Sequence, residues 1–206
     1  MDIPSLYCEQ IHNSTQILNI LSNAIFILVW LYYIKNYRKT KVLAIYGILV
    51  LLVWVWSILW HGLENSIWDL IDTYSILILI VFILYYFLSK IFWNKLLNIL
   101  MIFSVVWVGF VLERLEYLNW WIVYIRVLLV ISLFMYIVLQ KFALRYSLFF
   151  IWIALFLVWI VARSVDILTC SILTIWSHYL WHIFVALSLY YIWKYIRSIE
   201  WLVLNI

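Results

Sequence analysis

Charge is what this chain has least of. Asp, Glu, Lys and Arg make up 11% of its 206 residues, where an average soluble domain carries about 25%. Apolar residues reach 70%, too many to hide beneath a polar surface in water. A soluble enzyme, a disordered chain and a nucleic-acid binder are thereby excluded. Glycine and proline are nearly absent as well, with three and one copies. Pro4 precedes every long apolar run, so the composition predicts straight, unbroken helices and argues against a transporter built on interrupted spans. Two cysteines occur but no CxxC pair, and there is no Gly-rich phosphate loop, no Walker lysine and no repeat of 20–50 residues. The N-terminus carries Asp2 and Glu9 and has no Lys or Arg before Lys35, which is not the pattern of a secretory signal.

What is present is apolar sequence in long stretches, with a mean hydropathy of +1.14. Seven spans of about 20 residues each occupy about 140 positions, and the remainder divides into short loops and tails. Polar punctuation places the spans at about 14–34, 42–62, 68–89, 96–112, 120–140, 147–164 and 175–196. The expected fold is therefore all-α: a polytopic membrane protein, one seven-helix transmembrane domain over 1–206. The net charge of +4 then reads as topology. Lys35, Arg38, Lys39, Lys41, Lys90, Lys95, Lys141, Arg145, Lys194 and Arg197 fall on one side, ten of the thirteen basic residues. Asp2, Glu9, Glu64, Asp69, Glu113, Glu116 and Asp166 fall on the other. By the positive-inside rule the N-terminus is outside and the C-terminus cytoplasmic. In a bacterium this is the cytoplasmic membrane, since outer-membrane proteins are barrels.

The fifteen Trp residues include Trp60, Trp68, Trp120, Trp121, Trp176 and Trp181 near span ends, where an interfacial aromatic belt is the favoured reading over ligand stacking. Asn19 and Asn23, four apart in the first span, share a helix face and are expected to bond a neighbouring helix. Cys8 and Cys170 both fall on the outer side. An oxidising exterior permits a disulfide between them, and two unpaired thiols are the alternative.

Ionisable side chains inside a membrane are costly and call for an explanation. Several polar groups gather near the outer ends of three spans: Ser57 and His61 at the end of the second, Asp72 near the start of the third, His178 and His182 at the start of the seventh. His178 and His182 are four apart and project from one face of a helix. That spacing suits two ligands of one metal ion, although an isolated HxxxH is a weak signal. His61 supplies a third nitrogen, and three protein ligands with an open fourth position are the arrangement of catalytic zinc. Ser57 shares a face with His61, and Asp72 is the one carboxylate placed to reach an attacking water.

Ser57-x3-His61, Asp72 eleven residues later, and His178-x3-His182 on the last of seven helices resemble the alkaline ceramidases. That family belongs to a superfamily of seven-helix hydrolases that includes adiponectin-receptor-like proteins. Tyr7-Cys8-Glu9 and Asn19-Ile-Leu-Ser22-Asn23 look like its bacterial members. The resemblance implies a zinc-dependent amidase that cleaves the N-acyl bond of ceramide-like lipids to a long-chain base and a fatty acid. It implies His61, His178 and His182 as zinc ligands, with Asp72 and Ser57 as catalytic residues, and it supports the Cys8–Cys170 bridge. Eukaryotic members also hold calcium near the N-terminus. Here Glu9 is kept but Gln16 stands where a further carboxylate is expected, which argues against calcium. Two alternatives remain: hydrolysis of a different acyl lipid, and a seven-helix lipid sensor with structural zinc.

Overall fold

The computed structural model describes residues 17–36, 40–63, 66–114, 120–144, 146–169 and 178–204. Cys8, Cys170, Glu9 and Gln16 lie outside the described residues, as do the side chains of Trp120, Trp121 and Trp176. Among the described residues every regular element is an α-helix. They are α1 (Ile17–Ser22), α2 (Ala24–Asn36), α3 (Lys41–Leu63), α4 (Ser66–Ile91), α5 (Lys95–Arg114), α6 (Trp120–Phe142), α7 (Tyr146–Thr169) and α8 (His178–Leu204). The all-α expectation therefore holds. By length and composition, Lys41–Leu63 and Leu70–Ile91 are apolar enough to cross a membrane.

Local chemistry sets several helix ends. Asn94 Oδ1 accepts the backbone N–H groups of Leu96 and Leu97 at 3.0 and 3.2 Å, capping α5. Thr40 Oγ1 accepts the N–H of Leu43 at 3.3 Å ahead of α3. α6 ends in a left-handed residue, Ala143 (φ 48°), with the Leu144 N–H bonded to the Leu139 carbonyl at 3.2 Å. α8 runs to Leu204, well past the expected span end near 196. The reason is packing: Tyr195, Ile196 and Ile199 are fully buried, so the last turns have a core to cover.

The helices follow one another as packed neighbours, and α8 returns against α1, α2 and α3, its most extensive packing being on α7. Hydroxyls fasten this closure. Tyr46 Oη donates to the Leu189 carbonyl at 2.7 Å, and Tyr195 Oη to the Met135 carbonyl at 2.6 Å. At the C-terminal ends of α4 and α8, Glu200 accepts from Lys90 Nζ at 2.8 Å and from Tyr86 Oη at 2.9 Å. Lys141 Nζ donates to the Lys90 carbonyl at 2.7 Å, drawing the end of α6 to the same place. The core holds Phe26, Tyr46, Phe87, Met135, Trp152 and Trp193. The outward faces are apolar too: Leu28, Ile48, Ile78, Leu133, Phe150 and Leu157 are all exposed.

One expectation fails. The first helix is not unbroken but interrupted at Asn23, with no Gly or Pro involved. Ser22 Oγ and Asn23 Nδ2 both donate to the Asn19 carbonyl, at 2.9 and 2.8 Å, and the Phe26 N–H bonds the Asn23 carbonyl three residues back at 3.1 Å. Short polar side chains that compete for backbone acceptors bend or break a helix. This break lies at the site.

Candidate metal centre

Residues far apart in sequence converge where α1, α2, α3 and α8 meet. His61 comes from the last turn of α3, His178 and His182 from the first two turns of α8. Each imidazole is no more than 3% exposed. Their ring centroids stand 5.2 Å apart for His61 and His178, 4.9 Å for His61 and His182, and 4.9 Å for His178 and His182. One nitrogen from each lies within 4.8 Å of the others, close enough to hold a metal ion. The i, i+4 spacing in α8 is responsible for one edge of this triangle. The packing of α3 on α8 makes the other two.

The edge between His61 and His182 is a quantitative test of fit. His61 Nε2 and His182 Nε2 are 3.2 Å apart. Two nitrogens bound at 2.0–2.1 Å to a tetrahedral ion are separated by about 3.3 Å. The donor set, three imidazoles, suits zinc, copper, iron or nickel rather than calcium or magnesium.

Aromatic rings wall in the cluster. Trp181 stacks on His178 at 5.5 Å with an interplanar angle of 19°, and lies 5.1 Å from His182. Trp60 lies 4.2 Å from His61. Trp60 and Trp181 were expected in an interfacial belt. Both are instead buried against the histidines, because the helix ends that carry them are covered by neighbouring helices. Trp68 is partly exposed and stacks on Trp56 at 5.8 Å.

Ser57 and Asp72 are both buried and both line one cavity. It is narrow, with a cavity volume of about 80 Å³. Its wall on α4 runs from Asp72 to Ile83 and on α8 from Trp181 to Ile192. Eleven residues of helix correspond to about 16 Å. Beyond Ser57, Asp72 and Ser188 the lining is aliphatic or aromatic, including Ile80, Ile131, Trp152 and Phe156. The histidines stand beside this cavity, not on its wall: Ser57 is one turn from His61, and Trp181 is the neighbour of His182. Asp72 is held in a turn closed by Ser75, whose Oγ donates to the Asp72 carbonyl at 2.7 Å.

The sequence reading missed two contacts to the cluster. Ser22 Oγ lies 2.8 Å from His182 Nδ1, and Asn23 Nδ2 lies 3.4 Å from the same atom. The signal was Asn19, Ser22 and Asn23 grouped in an otherwise apolar helix. It pointed to an interhelical contact and said nothing of which side chain would be met.

Comparison with protein-family models, with curated proteins and with solved structures gives no match.

Proposed function

We propose that this chain is a multi-pass membrane hydrolase that holds one zinc ion between His61, His178 and His182 and cleaves the N-acyl bond of ceramide-like lipid amides. The observation that carries this reading is the convergence of three buried imidazoles beside a long apolar cavity whose few polar residues include Ser57 and Asp72. A metal site beside a narrow cavity with an aliphatic and aromatic lining suits a lipid substrate better than a water-soluble one. The resemblance of Ser57-x3-His61, Asp72 and His178-x3-His182 to the alkaline ceramidases supports the same class.

The membrane assignment draws on the apolar outward faces, which would be untenable in water, and on the two helices long enough to span. With ten of thirteen basic residues in alternate loops and the C-terminal tail, we place seven spans with the N-terminus outside. The site then lies near the outer leaflet, where a lipid amide can enter laterally.

Zinc, when bound, supplies Lewis acidity that polarises the amide carbonyl and lowers the pKa of water. The chain does the rest. Asp72 accepts the proton of the attacking water and returns it to the leaving amine. The Ser57 hydroxyl donates to the carbonyl oxygen as it gains negative charge. The aliphatic wall of α4 and α8 takes the acyl tail and keeps bulk water from the reacting bond. The alternative within the class is another acyl lipid, because Ser57, Asp72 and Ser188 do not specify a headgroup.

The test is hydrolysis of an N-acyl sphingoid base by protein purified in detergent, with release of both the fatty acid and the free amine measured. Activity that disappears with a chelator and returns with zinc supports the assignment. Zinc-loaded protein that leaves the amide intact but cleaves an ester phospholipid would move it to a different acyl lipid. Loss of neither bond would remove the hydrolase reading.

A further inference from the structure

The first helix breaks where it meets His182, and the break has a chemical consequence. Ser22 Oγ sits 2.8 Å from His182 Nδ1 and 2.9 Å from the Asn19 carbonyl oxygen. A hydroxyl has one hydrogen to give, whereas a carbonyl oxygen can only accept. With the Ser22 hydrogen on the carbonyl, Ser22 Oγ faces His182 as an acceptor, and the His182 Nδ1 must carry a hydrogen to meet it. A neutral imidazole with a hydrogen on Nδ1 has a lone pair on Nε2. That is the nitrogen 3.2 Å from His61 Nε2. The fully buried Asn23 donates its Nδ2 to the same carbonyl at 2.8 Å, and that Nδ2 stands 3.4 Å from His182 Nδ1, long for a hydrogen bond, so the 2.8 Å contact with Ser22 Oγ governs the nitrogen.

We propose that Asn19, Ser22 and Asn23 form a tautomer clamp: the broken turn of the first helix fixes His182 as the Nδ1–H imidazole and so presets its Nε2 as a metal ligand. The purpose rests on the zinc reading above; the hydrogen position does not. Metal-binding histidines commonly have their second nitrogen held by a partner, and loss of that partner lowers metal affinity by about 10–100-fold. Ser22 acts through His182, so it is a positioning residue. The clamp also accounts for polar side chains interrupting an apolar helix. The Asn23 N–H still reaches the Asn19 carbonyl at 3.3 Å, so the Ser22 and Asn23 side chains add to the backbone bond there. The reversed polarity, with His182 Nδ1 accepting from Ser22, would put the hydrogen on Nε2 and aim it at His61, closing that nitrogen to metal.

The experiment uses the full-length chain in detergent with ring-¹⁵N histidine, stripped of metal, with His182→Gln to assign the resonance. A hydrogen on His182 Nδ1 in the metal-free protein is expected. Ser22→Ala should give a mixture of tautomers and weaken zinc binding, measured by competition with a chromophoric chelator, by about 10–100-fold. Ser22→Thr, which keeps the hydroxyl, should restore both. An Nε2–H tautomer in the wild type, or unchanged tautomer and affinity in Ser22→Ala, would overturn the proposal. Should Ser22→Ala fail to fold, the wild-type spectrum decides alone. Because the tautomer is read without metal, a wild type that holds Nδ1–H yet binds no zinc would fail the metal reading and leave the clamp standing.

Discussion

His61 Nε2 and His182 Nε2, 121 residues apart in sequence, lie 3.2 Å from one another at the junction of α3 and α8. Two buried imidazole nitrogens this close share either a hydrogen or an ion. A third imidazole, His178, brings a nitrogen within 4.8 Å of theirs, close enough for the three to hold one ion.

Asp72 is assigned the proton transfers, so Asp72→Asn should bind zinc as the wild type does and lose amidase turnover by about 10²–10⁴-fold. Metal content and kcat, measured on the same preparation, check this. Full activity in the variant would remove Asp72 from the mechanism.

Ser57→Ala should keep zinc and lower kcat by about 10²-fold, the loss of one hydrogen-bond donor to a developing oxyanion. An effect on KM alone would instead make Ser57 a contact to bound substrate.

Ile80 lines the cavity two turns along α4 from Asp72. On the proposed lipid-amidase reading, Ile80→Phe should shorten the preferred acyl chain while leaving zinc content unchanged. A series of N-acyl substrates of increasing chain length measures the shift. An unaltered profile would place the tail elsewhere.

Ala143 ends α6 at φ 48°, a conformation that is strained for any residue with a Cβ by about 1–2 kcal/mol. Ala143→Gly removes the strain but adds chain entropy to the unfolded state. A net gain of about 0.5–1 kcal/mol is expected, seen as a rise in Tm of a few degrees with zinc binding intact. Conversely, Glu200→Ala at the far end of α8 breaks the contact to Lys90 and Tyr86. It should lower stability by about 1–2 kcal/mol, between the values for exposed and buried pairs.

The helices were legible because their apolar runs are long and their polar breaks sharp. His61, His178 and His182 were legible because a histidine in an apolar helix has few bland explanations, and the i, i+4 spacing fixes one edge of the cluster before any fold is known. The break at Asn23 was not legible. It depends on Ser22 and Asn23 turning their side chains to the Asn19 carbonyl, an option that competes evenly with a regular helix until His182 arrives as a partner. Nor was the burial of Trp60 and Trp181. An indole at a helix end looks the same in sequence whether lipid headgroups or a neighbouring imidazole await it. Packing between distant segments decides, and a single sequence carries no record of it. The extension of α8 to Leu204 escaped for a related reason, since Ile196 and Ile199 are buried by helices, not by lipid.

The central claim is that three histidines hold one catalytic zinc. Metal analysis of the full-length protein, purified in detergent without chelator and compared with His178→Ala, tests it most directly. About one zinc per chain in the wild type and none in the variant is the expected result. No zinc in the wild type, or equal zinc in both, would contradict it and leave His61 and His182 as a hydrogen-bonded pair.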